Sequence, residues 1–159
     1  MELKWDNIST IDNFDLKILR ELQKDSAISV DALAENVDLS RNACWRRMKR
    51  LEADGVIKSR GALLDAEKLD LDLMVYVMVR THDHEPGWLE KFRTAVRSMP
   101  EIIGAHRMSG DLDYVLRVRV RDVKAYDVFY QRLIAKVPIS EVSASFVMED
   151  IKDTTGLPI

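Results

Sequence analysis

Between Ser40 and Arg60 the chain sets seven cations, Arg41, Arg46, Arg47, Lys49, Arg50, Lys58 and Arg60, against two acids, Glu52 and Asp54. Cations at this density suit a polyanion, because each phosphate they neutralise releases a condensed counterion. Wound as a helix at about 100° per residue, "RNACWRRMKRLEAD" separates into two faces. Cys44, Met48 and Leu51 form an inward stripe. Asn42, Trp45, Arg46 and Lys49 gather on the opposite side, flanked by Arg41 and Arg50, with Ser40 at the start. That face has the chemistry of major-groove recognition: Arg reads guanine bidentately, Asn reads adenine, and Lys and flanking Arg hold phosphates. An exposed Trp45 among cations needs a surface to pack on, such as a sugar edge or a thymine methyl. A merely solvated face would interleave acids at i,i+4, and here none follows until Glu52. The stretch reads as a helix that meets double-stranded DNA, with Lys58 and Arg60 extending the footprint.

A second constellation is "GDLDY", Gly110–Tyr114. Gly110 suits a tight turn, and Asp111 and Asp113 alternate around Leu112. These residue types fit a plain hairpin turn as well as a ligand site. Elsewhere, "THDHE" brings His82, Asp83, His84 and Glu85 together; with no further histidine nearby in sequence it reads as a solvated capping loop rather than a zinc site. The single cysteine, Cys44, lies on the inward stripe and is expected to be an inert core thiol. No phosphate-cradling glycine loop or nucleophile–base pair can be placed. No catalytic residue, metal or cofactor is therefore expected.

The elements that must carry these residues follow from periodicity. "IDNFDLKILRELQKD" has a helical stripe of Phe14, Ile18, Leu19 and Leu22, capped by Asp12 or Asn13. "SVDALAENVDL" follows, with Ser29 as cap and Leu33, Ala34 and Val37 inward; Ser40 then caps the basic helix and Gly55 ends it. "VIKSRGALLD" alternates loosely about Gly61, as two short strands around a turn would. Three helices and a hairpin are the order of a winged helix-turn-helix.

The second half repeats a strand–helix–strand unit. Strands are expected at Met74–Arg80, Ile102–Met108, Tyr114–Val120 and Val142–Met148. The helices between them bury Trp88, Phe92, Ala95, Val96 and Met99 in one case, and Val123, Tyr126, Tyr130, Leu133 and Val137 in the other. This is a ferredoxin-like βαββαβ sandwich, and the fold class expected for the whole chain is α+β. The expected domains are 1–62, a linker over 63–72, and 73–159. One sheet face carries Val115, Arg117 and Arg119 with Ser143, Ser145 and Val147, and the first strand is apolar on both faces. Such a face without helices points to burial against a second copy.

Composition narrows the classes. The 159 residues are 47% hydrophobic and 32% charged, with formal charge −3. Residues 1–64 balance 11 Lys/Arg against 11 Asp/Glu, so the positive charge is local rather than global. No apolar run reaches the roughly 20 residues that span a bilayer. The start "MELKWDNIST" lacks a secretory pattern, and one cysteine fits a reducing compartment; a cytoplasmic protein without membrane contact is expected.

Taken with "FDLKILRELQKD", "LSRNACWRRMKRLEADGVI", "GDLDYVLRVRV" and "FVMEDIKDTTGLP", the chain resembles the Lrp/AsnC (feast/famine) transcriptional regulators over nearly its whole length. The resemblance implies a DNA-binding regulator whose sandwich domain dimerises, often assembles into octamers, and binds an amino acid between subunits. It also implies that the Gly110–Tyr114 turn sits at the effector pocket. Asp111 or Asp113 would then pair with an α-ammonium, and amides near Gly110 would hold the α-carboxylate. Met108 and Tyr114 flank that turn, and Ser143, Ser145 and Val147 would complete the pocket. Within the family, "ACWRRMKRLEADGVI", "ALLDAEKL" and "DIKDTTGLPI" are similar to the branch that answers to L-cysteine. The competing readings are a small ferredoxin-like enzyme using His106, Asp111 and Asp113 for acid–base work, and a stand-alone effector-binding module.

Overall fold

A computed structural model describes residues 11–81 and 86–159; the "THDHE" loop from His82 to Glu85 lies outside them. The chain divides into two compact units, one comprising Met1–Leu63 with Thr154–Ile159 and the other Leu64–Asp153. The last six residues thus cluster with the first unit, although the sequence placed them in the second.

In the first unit, α1 (Asn13–Lys24), α2 (Val30–Asn36) and α3 (Arg41–Ala53) enclose Ile18, Leu33, Ala34, Val37, Cys44, Met48 and Leu51. Asp12, not Asn13, caps α1. It forms a reciprocal capping box with Asp15, which leaves neither of the two backbone N–H groups involved without an acceptor. Ser29 and Ser40 cap α2 and α3 by accepting from Ala32 and Ala43. Asp38 takes a left-handed conformation between α2 and α3, and Gly55 does so beyond α3. Phe14, expected inside, is 38% exposed; its ring instead lies under the Arg47 guanidinium and Lys17 ammonium.

The expected wing hairpin is absent as a ladder: no residue from Val56 to Leu64 is in a strand. Two strands of three or four residues with no third to pair against have little to hold them. Other contacts fix the segment, among them Ser26 Oγ donating to Gly61 O and Arg60 pairing with Glu52 at 2.7 Å. The chain's last residues lie on the same unit. Leu157 O accepts from Gln23 Nε2, Leu157 N donates to Gln23 Oε1, and Arg20 Nε donates to the Ile159 main-chain oxygen.

The second unit is an antiparallel sheet of β1 (Leu73–Arg80), β2 (Ile102–Arg107), β3 (Tyr114–Val120) and β4 (Glu141–Phe146), in the spatial order β2-β3-β1-β4. Helices α4 (Pro86–Arg97) and α5 (Val123–Lys136) connect the strands as βαββαβ, the ferredoxin-like arrangement. Val75, Val77, Val79, Leu116, Val118 and Val120 bury one sheet face against Trp88, Phe92, Ala95, Met99, Phe129, Leu133 and Val137. The Trp88 indole donates to Pro138 O at 2.6 Å, so the buried ring leaves no orphan N–H. The last strand ends two residues early, at Phe146. Val147 N still donates to Met74 O, but β1 begins at Leu73 and offers no partner beyond, which leaves Met148 94% exposed.

Candidate nucleic-acid interface and effector turn

Helix α3 separates as its periodicity requires. Cys44, Met48 and Leu51 are buried, while Arg41, Asn42, Trp45, Arg46 and Lys49 are exposed, Trp45 to 52%. Burial pushes the Cys44 thiol up, so it stays protonated and inert in the core.

The distribution of charge differs from the sequence expectation. Acids from α1 with its N-cap and from α2, together with Glu52 of α3 itself, pair with most of the cations between Ser40 and Arg60. Arg47 Nη1 meets Asp12 Oδ2 at 2.6 Å and Asp15 Oδ1 at 2.9 Å, and Arg50 Nη2 bonds Asp15 Oδ2. Arg41 pairs with Asp31 of α2 at 2.8 Å, and Glu52 takes both Lys49 at 2.8 Å and Arg60 at 2.7 Å. Of the seven cations, only Arg46 and Lys58 have no carboxylate partner among the described residues. The pairs that Arg41, Lys49 and Arg60 make are exposed and weak, and phosphate can exchange for them. Arg50 is different: sequence placed it on the flank of the DNA face, and in the structure a fully buried carboxylate ties its guanidinium while the side chain stays 40% exposed. Ser40, also expected at the DNA, already uses its oxygen as the cap of α3.

Asp15 itself was missed. On sequence it was a helical acid without a role; in the structure it has zero exposure and accepts from Arg47, Arg50 and Asp12 N. The available signal was that Arg47 and Arg50 lie three apart beside the Met48–Leu51 stripe, facing a neighbouring helix. The Asp15 backbone N–H and the Arg47 guanidinium hold the Asp12 carboxyl below the usual range.

At the other candidate site, the β2–β3 turn closes against the end of β1. Gly110 has φ +112°, a conformation that excludes most side chains. Asp113 Oδ2 accepts from Thr81 N at 2.8 Å, and Asp113 N donates to Val79 O at 3.1 Å. Arg80 Nε donates to Asp111 O at 2.7 Å and its Nη1 pairs with Glu141 at 3.2 Å. The Asp111 carboxylate has no partner among the described residues.

The remaining expected pocket residues are dispersed within one chain. Tyr114 points into the helix layer, its ring 4.6 Å from Phe92 and 5.9 Å from Trp88. Ser143 and Ser145 lie opposite Met78 and Tyr76 on the open sheet face. Val147 pairs beside Met74, at the end of β1 away from the turn. Met108 is exposed and its N–H donates to Asp113 O. The structure therefore brings together Met108, Gly110, Asp111 and Asp113, with Ser143 one strand away, and excludes Tyr114 and Val147 from that group.

Comparison with known proteins draws the two units into one lineage. Residues 11–58 match the winged helix-turn-helix DNA-binding family, and residues 74–157 match the Lrp/AsnC ligand binding domain. The chain belongs to the Lrp/AsnC family. It is 49% identical to the Escherichia coli DNA-binding transcriptional activator DecR, over 94% of this chain and 99% of that one. Identity to the Zymomonas mobilis glutamate uptake regulatory protein is 44%, over 96% and 93%. A crystal structure of an AsnC family transcriptional regulator from Agrobacterium tumefaciens superposes with TM-score 0.90 at 51% identity, over 92% of this chain and 96% of that one. A Neisseria meningitidis transcriptional regulator solved in complex with L-Met gives TM-score 0.90 at 33% identity, over 94% and 97%. As an Lrp/AsnC protein the chain is a DNA-binding transcriptional regulator with an amino-acid ligand-binding domain, and its relatives are regulators rather than enzymes. Among the described residues no helix is long and apolar enough to cross a membrane.

Proposed function

We propose that this regulator reads its operator with the exposed face of α3. Arg46 and Asn42 address base edges, and Arg41, Lys49, Lys58 and Arg60 address phosphates, with Trp45 packed on the sugar edge and the Ser40 hydroxyl at the helix start. The observation that carries the reading is the exposure of Arg46, which no acid holds among the described residues, in the middle of a face that also presents an amide and an indole. Arg46→Ala should weaken binding to the selected operator by about 1–3 kcal/mol without loss of folding. Equal affinity in the variant and the wild type removes this face from recognition.

The signal that gates DNA binding is proposed to be a small amino acid, with L-cysteine the first candidate. The resemblance of its sequence motifs to the cysteine-responsive branch supports it, and so does the L-Met complex of the Neisseria relative, a sulfur-containing amino acid bound by a protein of this fold. The Asp111 carboxylate supplies the partner for an α-ammonium, amides at Gly110 face the α-carboxylate, and Met108 offers a soft apolar contact to sulfur. The pocket closes between subunits, where Ser143 and Ser145 of the open sheet face meet a second copy, and the dimer is the unit of higher assembly up to an octamer. A thermal-shift screen of the twenty amino acids tests the choice, since a ligand that binds the native state raises its apparent stability. A response to none of them sinks the amino-acid reading.

A further inference from the structure

The α3 segment is more basic in sequence than the surface it presents. Asp15 sits at the third position of α1, where the positive end of the helix dipole favours an acid, and its carboxylate has no exposure. Oδ1 takes Arg47 Nη1 at 2.9 Å; Oδ2 takes Asp12 N at 3.1 Å and Arg50 Nη2. Arg47 is further fixed by Asp12 Oδ2 at 2.6 Å and by the Phe14 ring, 5.5 Å from its guanidinium carbon. Three donors satisfy the buried acid and leave neither carboxylate oxygen orphaned.

We propose that Asp15 sets the sequence discrimination of α3 by withholding Arg47 and Arg50 from the phosphate backbone. The proposal rests on the reading that α3 is the DNA face. Affinity for DNA of any sequence grows with the number of phosphates neutralised, whereas specificity is the ratio of operator binding to that background. Both arginines lie on the helix that meets DNA and have the reach to find phosphates. Tied to Asp15, they add nothing to the background and instead hold α3 against α1, fixing the rotation at which Asn42 and Arg46 are presented. The planar guanidinium fork does this better than an ammonium would. Asp15 is a positioning residue: it touches no DNA and acts through the two arginines.

The test is the salt dependence of binding to two duplexes, one of random sequence and one enriched by selection from a random pool. Asp15→Asn keeps the size and an acceptor for Asp12 N but removes the charge. Each guanidinium released to a phosphate steepens the plot of log K against log salt by about 0.9. The variant should steepen on the random duplex by one to two such steps, and its preference for the selected duplex should fall at least fivefold. A folded Asp15→Asn protein with unchanged slope and preference overturns the proposal. Should that variant not fold, Arg47→Gln in the otherwise intact chain decides the matter. Its slope should equal that of the wild type, while Lys49→Ala, at a phosphate-facing cation of the same helix, loses about one phosphate's worth. A loss in Arg47→Gln equal to that in Lys49→Ala shows Arg47 on DNA and overturns the proposal alone. No loss in Lys49→Ala together with unchanged operator affinity in Arg46→Ala removes α3 from the DNA, and the reading and the proposal fall together.

Discussion

Asp113 Oδ2 accepts the Thr81 N–H at 2.8 Å and thereby ties the β2–β3 turn to the end of β1, whereas Asp111, two residues earlier, contributes its backbone oxygen to Arg80, and its carboxylate has no partner among the described residues. One acid builds the turn and the other leaves its carboxylate outward. Asp111→Ala should abolish ligand heat in calorimetry, leaving thermal stability and ligand-free operator affinity close to wild type. Asp113→Ala should instead lower stability by about 1–3 kcal/mol, because Thr81 N–H is part-buried and loses its acceptor. If Asp111→Ala binds the amino acid normally, the ammonium partner lies elsewhere.

The open sheet face carries Tyr76, 40% exposed, between Arg117 of β3 and Ser145 of β4, with Met78 half-buried beside it. A second copy covering this face would bury the Tyr76 ring. Light scattering on the full chain should give a mass of at least twice 18.3 kDa at micromolar concentration. Tyr76→Glu should shift the population toward monomer, since an unpaired carboxylate in a subunit contact carries a large desolvation penalty. A monomeric wild type under these conditions contradicts dimerisation through the sheet.

Most of the architecture was legible in the sequence, because it depends on one-dimensional periodicity. The Cys44–Met48–Leu51 stripe, the alternation along Tyr114–Val120 and the caps at Ser29 and Ser40 are all local patterns, and the structure shows each where the pattern put it. The wing ladder failed because strand pairing is non-local: a loose alternation about Gly61 says nothing of whether a third strand is present. Charge partners were hidden for the same reason. Asp15 and Arg50 are 35 residues apart and meet only once α1 packs on α3. The expected effector residues divide within one chain on similar grounds. Alternation placed Ser143 and Val147 on one face, but only the antiparallel register shows that they fall toward opposite ends of β1.

Acid should loosen the first unit. Asp12, Glu21 and Glu52 are all held below their ordinary pKa. For Asp12 the leading cause is the Asp15 N–H, with Arg47 next; for Glu21 it is Lys24, then Asn36; for Glu52 it is Lys49, with Arg60 adding to it. A carboxyl whose folded pKa lies below its unfolded value stabilises the fold above the unfolded pKa and loses that contribution as pH falls through the folded one. Urea midpoints should therefore hold from pH 7 to about pH 5 and decline below about pH 4. Asp12→Asn preserves an N-cap while removing the charge, so its midpoint should decline less over the same interval. An unchanged decline would assign the acid sensitivity to other groups.

The last expectation concerns the one thiol. Cys44 has zero exposure, and burial raises its pKa, so little thiolate exists at neutral pH and no reagent reaches it without an opening of the α1–α3 core. A disulfide reagent such as dithionitrobenzoate should label the native chain only as fast as that core opens. Three helices around seven buried side chains form one cooperative cluster, so local fraying should not expose the sulfur. Labelling should accelerate steeply with sub-denaturing urea, and Asp15→Asn should accelerate it further by removing the ionic clamp between α1 and α3. The same rate should be insensitive to the amino-acid effector, whose proposed site lies in the other unit. Stoichiometric labelling of the native protein within seconds would show that the stripe opens freely, and would recast Cys44 from a packing residue into a reactive one.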